Sequence, residues 1–465
     1  KKIFVLNGYS ETEAAEKSKN VYDFEKVLAA SMLKREELRD TERLYNPYTV
    51  AQLEKSYPNI NWREFLARTK LIKAKKIVLT EPEYVKALNT QISNVDIKVI
   101  KDYLESVILR EASNYLSRDF EKTAFEYSKV FTGIDEMLPD NERAFDLLND
   151  SLGEPLGKIY VEKYFSEEAK QDVKGMVEKI ISVYEGRIEK LDWMSADTKK
   201  KAIKKLETMT IKVGYPDKWE DYSKISIKTY ENGGSLYYNL NNIASFEREK
   251  SIKELNEKVD KSKWGMTPQT INAYYNPTAN EIVFPAAILQ DPFYKYGDSK
   301  AKNYGGIGAV IGHEISHAFD DQGSKFDEKG NLKNWWTTED EKNYKQKTEA
   351  LAKQYSGYIV GNKNINGNLT LGENIADLGG VTVALEITEK EAPNDLKEFF
   401  YSYGVIWRNL ITKEKANYLV KIDPHSPGRY RVNGVLTNLD EFYKVYNVTE
   451  NDKMYKKPED RIRIW

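Results

Sequence analysis

The chain has 465 residues, no cysteine, and a net charge of −2 from 71 basic and 73 acidic side chains. Disulfides, thiolate metal ligands and a cysteine nucleophile are excluded, and the charge balance gives no electrostatic case for nucleic acid or an anionic membrane. With 40% apolar and 31% charged residues, the length suits a globular chain of two or three domains with a sizeable core.

The first stretch, KKIFVLNGYSETEAAEKS, has only a short apolar patch and does not read as a signal peptide. It looks like entry into a domain already under way, so a native N-terminal segment, separate or removed, is expected to precede it. No run of about 18 apolar residues occurs, so no transmembrane helix is expected. The lack of cysteine suits a reducing cytoplasm, which is favoured, although exported bacterial proteins often lack it too. From residue 1 to about 225 the pattern is mostly helical. A helix pair is expected over Glu11 to Arg39, and an extended piece near Lys76 to Leu79. Helices follow over Val95 to Phe131, Phe145 to Phe165 and Lys170 to Leu191. Ala196 to Leu206 is a lysine-rich helix whose charges read as a solvated face. Met209 to Val213 reads as a strand ended by Gly214-Tyr215-Pro216.

Asn232-Gly233-Gly234 suggests a boundary, giving expected lobes of 1–225 and 226–465. The second opens on a hairpin pattern, Ile271 to Pro277 and Glu281 to Pro285 around a polar turn. Prolines at its outer limits suit an edge strand, where an extended peptide could add. Next comes Gly308 to Asp321, GAVIGHEISHAFDD, with His313-Glu314-Ile315-Ser316-His317 at its centre. At helical pitch both imidazoles face one spot, as two zinc ligands must, and Glu314 between them is placed to act on a water. Only three histidines exist in the chain. A third ligand must be His425 or a carboxylate, and Glu373 in Gly372-Glu373-Asn374-Ile375-Ala376-Asp377 is the best carboxylate. Glu373 and Asp377 share a helix face and repel unless each has a cation or donor, such as a metal and an imidazole N–H. A helix N-terminus would account for Glu373 but poorly for Asp377 among apolar neighbours. His425 sits in a stiff loop between two prolines. It would serve either as a third histidine ligand or as a donor to a charged intermediate.

HEISHAFDDQGSKFD, NAYYNP with EIVFPAAILQDPF, GENIADLGG, and DPHSPGRYRV with a final RIW resemble the neprilysin family of zinc endopeptidases, in character its bacterial oligoendopeptidase O branch. The resemblance implies one Zn²⁺ per chain held by His313, His317 and Glu373. It implies Glu314 as the base that activates the attacking water, Asp377 as partner of a ligand histidine, and His425 as stabiliser of the oxyanion. Arg431 is implied to hold a substrate carbonyl, and Asn272 and Ala273 the peptide backbone. Ile288, Phe293, Val310, Ile406 and Trp407 are implied to form the pocket after the scissile bond. Cleavage of short peptides on the amino side of bulky apolar residues follows. The fold implied is mainly α with a small antiparallel sheet (α+β), a zincin-type catalytic lobe under a large all-helical capping lobe. The rival expectation is a catalytically silent peptide-binding or adhesion protein, against which the intact Glu314 counts.

Overall fold

Ser10 and Glu13 form a reciprocal capping box that starts the long N-terminal helix, Glu11–Ala29. The computed structural model describes all 465 residues. In it this helix packs through Ala14 and Val21 against Leu109 of the helix Ile97–Ala112, with Phe4 completing the cluster. Lys17 reaches across to Asp102 (2.6 Å) and Glu105 (2.8 Å), so the buried carboxylate of Asp102 has its cation. A two-stranded antiparallel ribbon joins Asn46–Tyr48 to Ile77–Leu79. The helix pair expected up to Arg39 is one helix followed by a short 3₁₀ turn at Glu37–Arg39.

These elements belong to a first compact unit, residues 1–147 together with 221–260. The returning segment, which carries the helix Leu236–Lys253, is tied in by Asn256, whose side chain bonds the backbone of Lys73 and Lys75. Residues 148–220 and 261–465 form the second unit. This differs from a single cut near 225, because the helices and strand just before that point carry apolar faces that complete the second core. The helix Glu167–Lys190 buries Val173, Val177, Ile180, Tyr184 and Ile188 at helical spacing. The strand Thr210–Gly214 pairs with Glu281–Pro285.

That pairing is parallel, so the three-stranded sheet is mixed rather than purely antiparallel. The hairpin itself is antiparallel, with Tyr274–Asn276 on the edge and Glu281–Pro285 in the centre. Two helices position the site. The first, here the histidine helix, is Ala309–Ser316; every residue of it and of the π turn Tyr304–Gly308 before it is buried. The second, the acidic helix, is Leu371–Glu391. The two meet at glycines. A Cβ added to Gly312 would lie 2.7 Å from the Gly380 Cα, and one on Gly380 would press into the His313 amide nitrogen. Only Gly–Gly contact lets these backbones come so close.

The lysine-rich helix, Ala196–Glu207, departs from its expectation at one position. Lys205 is 1% exposed, and its ammonium lies inside the second unit.

Candidate active site

His313 sits within the histidine helix, and His317 opens the 3₁₀ turn that continues it to Phe319. Their Nε2 atoms face each other at 3.0 Å. His313 Nδ1 lies 2.8 Å from Asp377 Oδ1, and His317 Nδ1 lies 2.6 Å from Asp320 Oδ2. An ionised carboxylate only accepts, so each Nδ1 donates and each Nε2 turns a lone pair toward the other. The close Gly312–Gly380 crossing brings Glu373 to the same spot. Its Oε2 is 3.3 Å from His313 Nε2 and 3.6 Å from His317 Nε2, buried and without a hydrogen-bond donor.

Three electron-rich atoms thus form a triangle with edges of 3.0, 3.3 and 3.6 Å. A tetrahedral zinc site with bonds of roughly 2.0–2.1 Å needs ligand atoms roughly 3.3 Å apart. Set that close in a buried site, the three repel one another unless a cation lies between them. The surrounding carboxylates favour positive charge at this point, whether carried by protons on the imidazoles or by a metal that displaces them. Burial opposes charge on His317, yet Glu373 and Asp320 hold its imidazole well above the ordinary value. Burial and His317 pull His313 down, and Asp377 more than offsets them. Burial also opposes charge on Glu373, but His317 and His313 hold its carboxyl well below the usual range. The donor set fits zinc.

Glu314 differs from Glu373. It joins the two histidines in a group whose potential ligand atoms all lie within 4.8 Å of one another. Burial pushes its carboxyl up despite the neighbouring imidazoles. Burial thus shifts Glu314 upward, whereas the imidazoles shift Glu373 downward.

Asp377 is shared. It accepts from Arg431 Nε (2.7 Å) and Nη2 (2.6 Å) as well as from His313. The guanidinium stacks over Trp407, 3.7 Å from the ring centroid. Burial works against the Arg431 charge, and Asp377 more than offsets it, so the pKa rises. His425 lies at the rim, 48% exposed, with Nε2 3.3 Å from Glu373 Oε2 and Nδ1 2.9 Å from Asp423 Oδ1. Ser426 holds this loop to the acidic helix by donating to Asn374 Oδ1 at 2.8 Å.

A cavity of about 480 Å³ gathers most of the residues singled out in the sequence. Asn272, Ala273, Ile288, Phe293, Val310, His313, Glu314, His317, Glu373, Trp407, His425 and Arg431 line it. Asp377 lies behind the His313 ring. Ile406 is buried in the helix Leu396–Ile406 and is not among the lining residues, unlike Trp407 beside it. Asp320 is the site residue that sequence reasoning passed over. Its signal was available, an acid three residues beyond His317 on the same helical turn.

The description of peptidase family M13 matches residues 272–462, and that of its N-terminal region matches residues 1–216. The neutral endopeptidase of Lactococcus lactis is 36% identical over 99% of the chain and 73% of its own length. A crystal structure of the Mycobacterium tuberculosis zinc metalloprotease ZMP1 with an inhibitor superposes with a TM-score of 0.93 at 35% identity, over 98% of this chain and 72% of that one. PEPO from Lactobacillus rhamnosis gives 0.94 at 31%, over 100% and 73%. No helix is long and apolar enough to cross a membrane. By sequence along its whole length and by fold, the chain belongs to peptidase family M13, the neprilysin family, and is a zinc metalloendopeptidase.

Proposed function

We propose that this peptidase cleaves short peptides on the amino side of bulky apolar residues, with Glu314 as general base. The observation that carries the reading is geometric: His313 Nε2, His317 Nε2 and Glu373 Oε2 converge within 3.0–3.6 Å of one another, and Glu314 lies beside the two histidines in the same buried cluster without belonging to that triangle. Three converging donors suit a metal, and a further carboxylate beside them is placed to act as a base on a water.

Zinc held by His313, His317 and Glu373 would supply Lewis acidity, polarising a carbonyl and acidifying a water. Glu314 takes a proton from the attacking water and passes it to the leaving amine. His425, with protons on both ring nitrogens, gives Nδ1–H to Asp423 and Nε2–H to the oxygen that gains charge. Asp377 occupies Nε and Nη2 of Arg431, which leaves Nη1 to hold a substrate carbonyl. The backbone of Asn272 and Ala273 continues the edge strand Tyr274–Asn276, so an extended peptide adds there as a further strand. Ile288, Phe293, Val310 and Trp407 offer the apolar wall that favours a bulky side chain after the cut bond.

The test compares two variants on a quenched fluorescent peptide with Leu or Phe after the scissile bond. Glu314→Gln should keep one zinc per chain and lose about 10²–10⁴-fold in kcat. Glu373→Ala should lose the zinc itself. Full activity in Glu314→Gln would overturn the assignment of the base.

A further inference from the structure

Lys205 is the one lysine of its helix that is buried; Lys200, Lys201 and Lys204 are exposed. It occupies a position where Thr198, Ala202, Leu206 and Met209 form the inward face, so an apolar residue would be the ordinary choice. No carboxylate pairs with it directly. Its Nζ instead donates to three carbonyls, those of Ala318 (2.9 Å), Gly323 (2.7 Å) and Phe326 (2.8 Å). Three acceptors for three donors suit an ammonium, since a neutral amine has only two hydrogens. Burial pulls its pKa down to about 7, against the pull of Asp320, Asp327 and Glu328.

All three carbonyls belong to the loop that leaves His317. That loop curls tightly: a Cβ on Gly323 would strike the His317 carbonyl oxygen. On its inner side Asp320 Oδ1 accepts from the Gln322 amide (2.8 Å) and the Gly323 amide (2.6 Å), while Oδ2 takes His317 Nδ1. On its outer side the Lys205 ammonium gathers the carbonyls. The loop is therefore clamped between a carboxylate that gathers N–H groups and a cation that gathers C=O groups. Only the carboxylate touches the histidine.

We infer that Lys205 is a positioning residue of the active site, which sets the orientation of His317 by holding residues 318–326 so that Asp320 stays bonded to Nδ1. The inference rests on His317 being a zinc ligand, the reading given above. Lys205 also reaches the substrate edge. Its own carbonyl accepts from Asn280 Nδ2 at 2.9 Å, and Asn280 closes the turn of the hairpin that carries Asn272 and Ala273. One residue thus ties the ligand loop to the peptide-binding strand. Trp335, Trp336 and Tyr344 also bond carbonyls of the loop, so it is braced from other sides and can fold without the ammonium.

The experiment measures zinc affinity by competition with a chelator in wild type, Lys205→Met, Asp320→Asn and the double variant, with thermal unfolding and circular dichroism as controls for folding. Lys205→Met keeps the length of the side chain and removes the donors. It should weaken zinc binding about 10–100-fold, as loss of an outer partner of a ligand does. Asp320→Asn should do the same, and the double variant should be little worse than the weaker single, because both act through one bond to His317. Wild-type zinc affinity in a folded Lys205→Met, or losses that multiply in the double variant, would overturn the inference and leave Lys205 a structural residue. Should Lys205→Met not fold, Lys205→Gln decides in the same way: it offers two donors to three carbonyls, and an unchanged affinity counts against the proposal. His317→Ala separates the two readings. If it binds zinc as tightly as wild type, the ligand assignment falls and this inference with it. If it loses zinc while Lys205→Met does not, only the Lys205 inference falls.

Discussion

Asp340 is 3% exposed and lies where two helices begin. Its carboxylate accepts from the Ser195 amide (2.8 Å), the Ser195 hydroxyl (2.5 Å) and the Thr198 hydroxyl (2.5 Å), so it closes the N-terminus of Ala196–Glu207 from outside that helix. Burial works against its charge, but these donors and Thr337 outweigh burial and hold its pKa below the ordinary aspartate value of 3.8. The sign follows. A carboxyl depressed in the folded state contributes stability above its unfolded pKa, and that contribution is lost as the pH falls through the folded value. Asp340→Asn should therefore cost about 1.5–3 kcal/mol at pH 6, the range for a hydrogen bond to a charged group. The gap between variant and wild type should narrow toward pH 3.5. Thermal midpoints at the two pH values check this, and a gap that widened on acidification would contradict it. None of this was legible in the sequence, because Asp340 and Ser195 are 145 residues apart. Lys205 was misread for a related reason. Its neighbours in sequence are solvated lysines, and the carbonyls that hold it lie more than 110 residues away.

Among the elements, the two site helices are set by their glycines. Replacing Gly380 with Ala brings two opposed effects. Helix propensity favours Ala over Gly by about 1 kcal/mol. Against that, the added Cβ would press into the His313 amide nitrogen and sit 2.6 Å from the Ala309 carbonyl oxygen. Both are backbone atoms of a buried helix and cannot swing aside as a side chain would, and overpacking of a tight core costs about 1–3 kcal/mol. The clash wins. Gly380→Ala should lower the thermal midpoint and, by moving His313 away from Glu373, weaken zinc binding. Gly404 is the control. It lies in the helix Leu396–Ile406 with nothing within 4 Å of an added Cβ, so Gly404→Ala should be neutral or slightly stabilising. Equal effects at the two positions would sink the argument from the crossing. The motifs on these helices could be read directly, since HExxH and the Glu373–Asp377 pair each lie within one helical turn or two. Their meeting could not, because it depends on two glycines 68 positions apart approaching each other.

For the whole molecule, the question is which residues the catalytic unit needs. Asn232-Gly233-Gly234 suggests a boundary and with it a cut near 225, and the hairpin, the HExxH motif and the Glu373 segment all lie beyond it. The core does not respect that cut. Val173, Val177, Ile180, Tyr184 and Ile188 pack into one cluster with Ile282, Phe284, Ile311 and Ile315. Thr210–Gly214 supplies a parallel neighbour to the central strand. A parallel partner some 70 residues distant leaves no local mark, whereas a hairpin announces itself by its turn. Each of the five helix residues stabilises by about 1.5–3 kcal/mol on full burial, on the order of 10 kcal/mol together, against about 5–15 kcal/mol for the net stability of a domain. A fragment of residues 226–465 would expose the partners of all five and leave the strand Glu281–Pro285 with an open edge. It should therefore be insoluble or bind a hydrophobic dye strongly, and should take up no stoichiometric zinc. A fragment of residues 148–465, which retains both parts of the second unit, should give dispersed amide resonances and bind one zinc. Zinc binding by 226–465 would show that Glu167–Lys190 and its strand are accessories, and that the site is held by the two crossing helices alone.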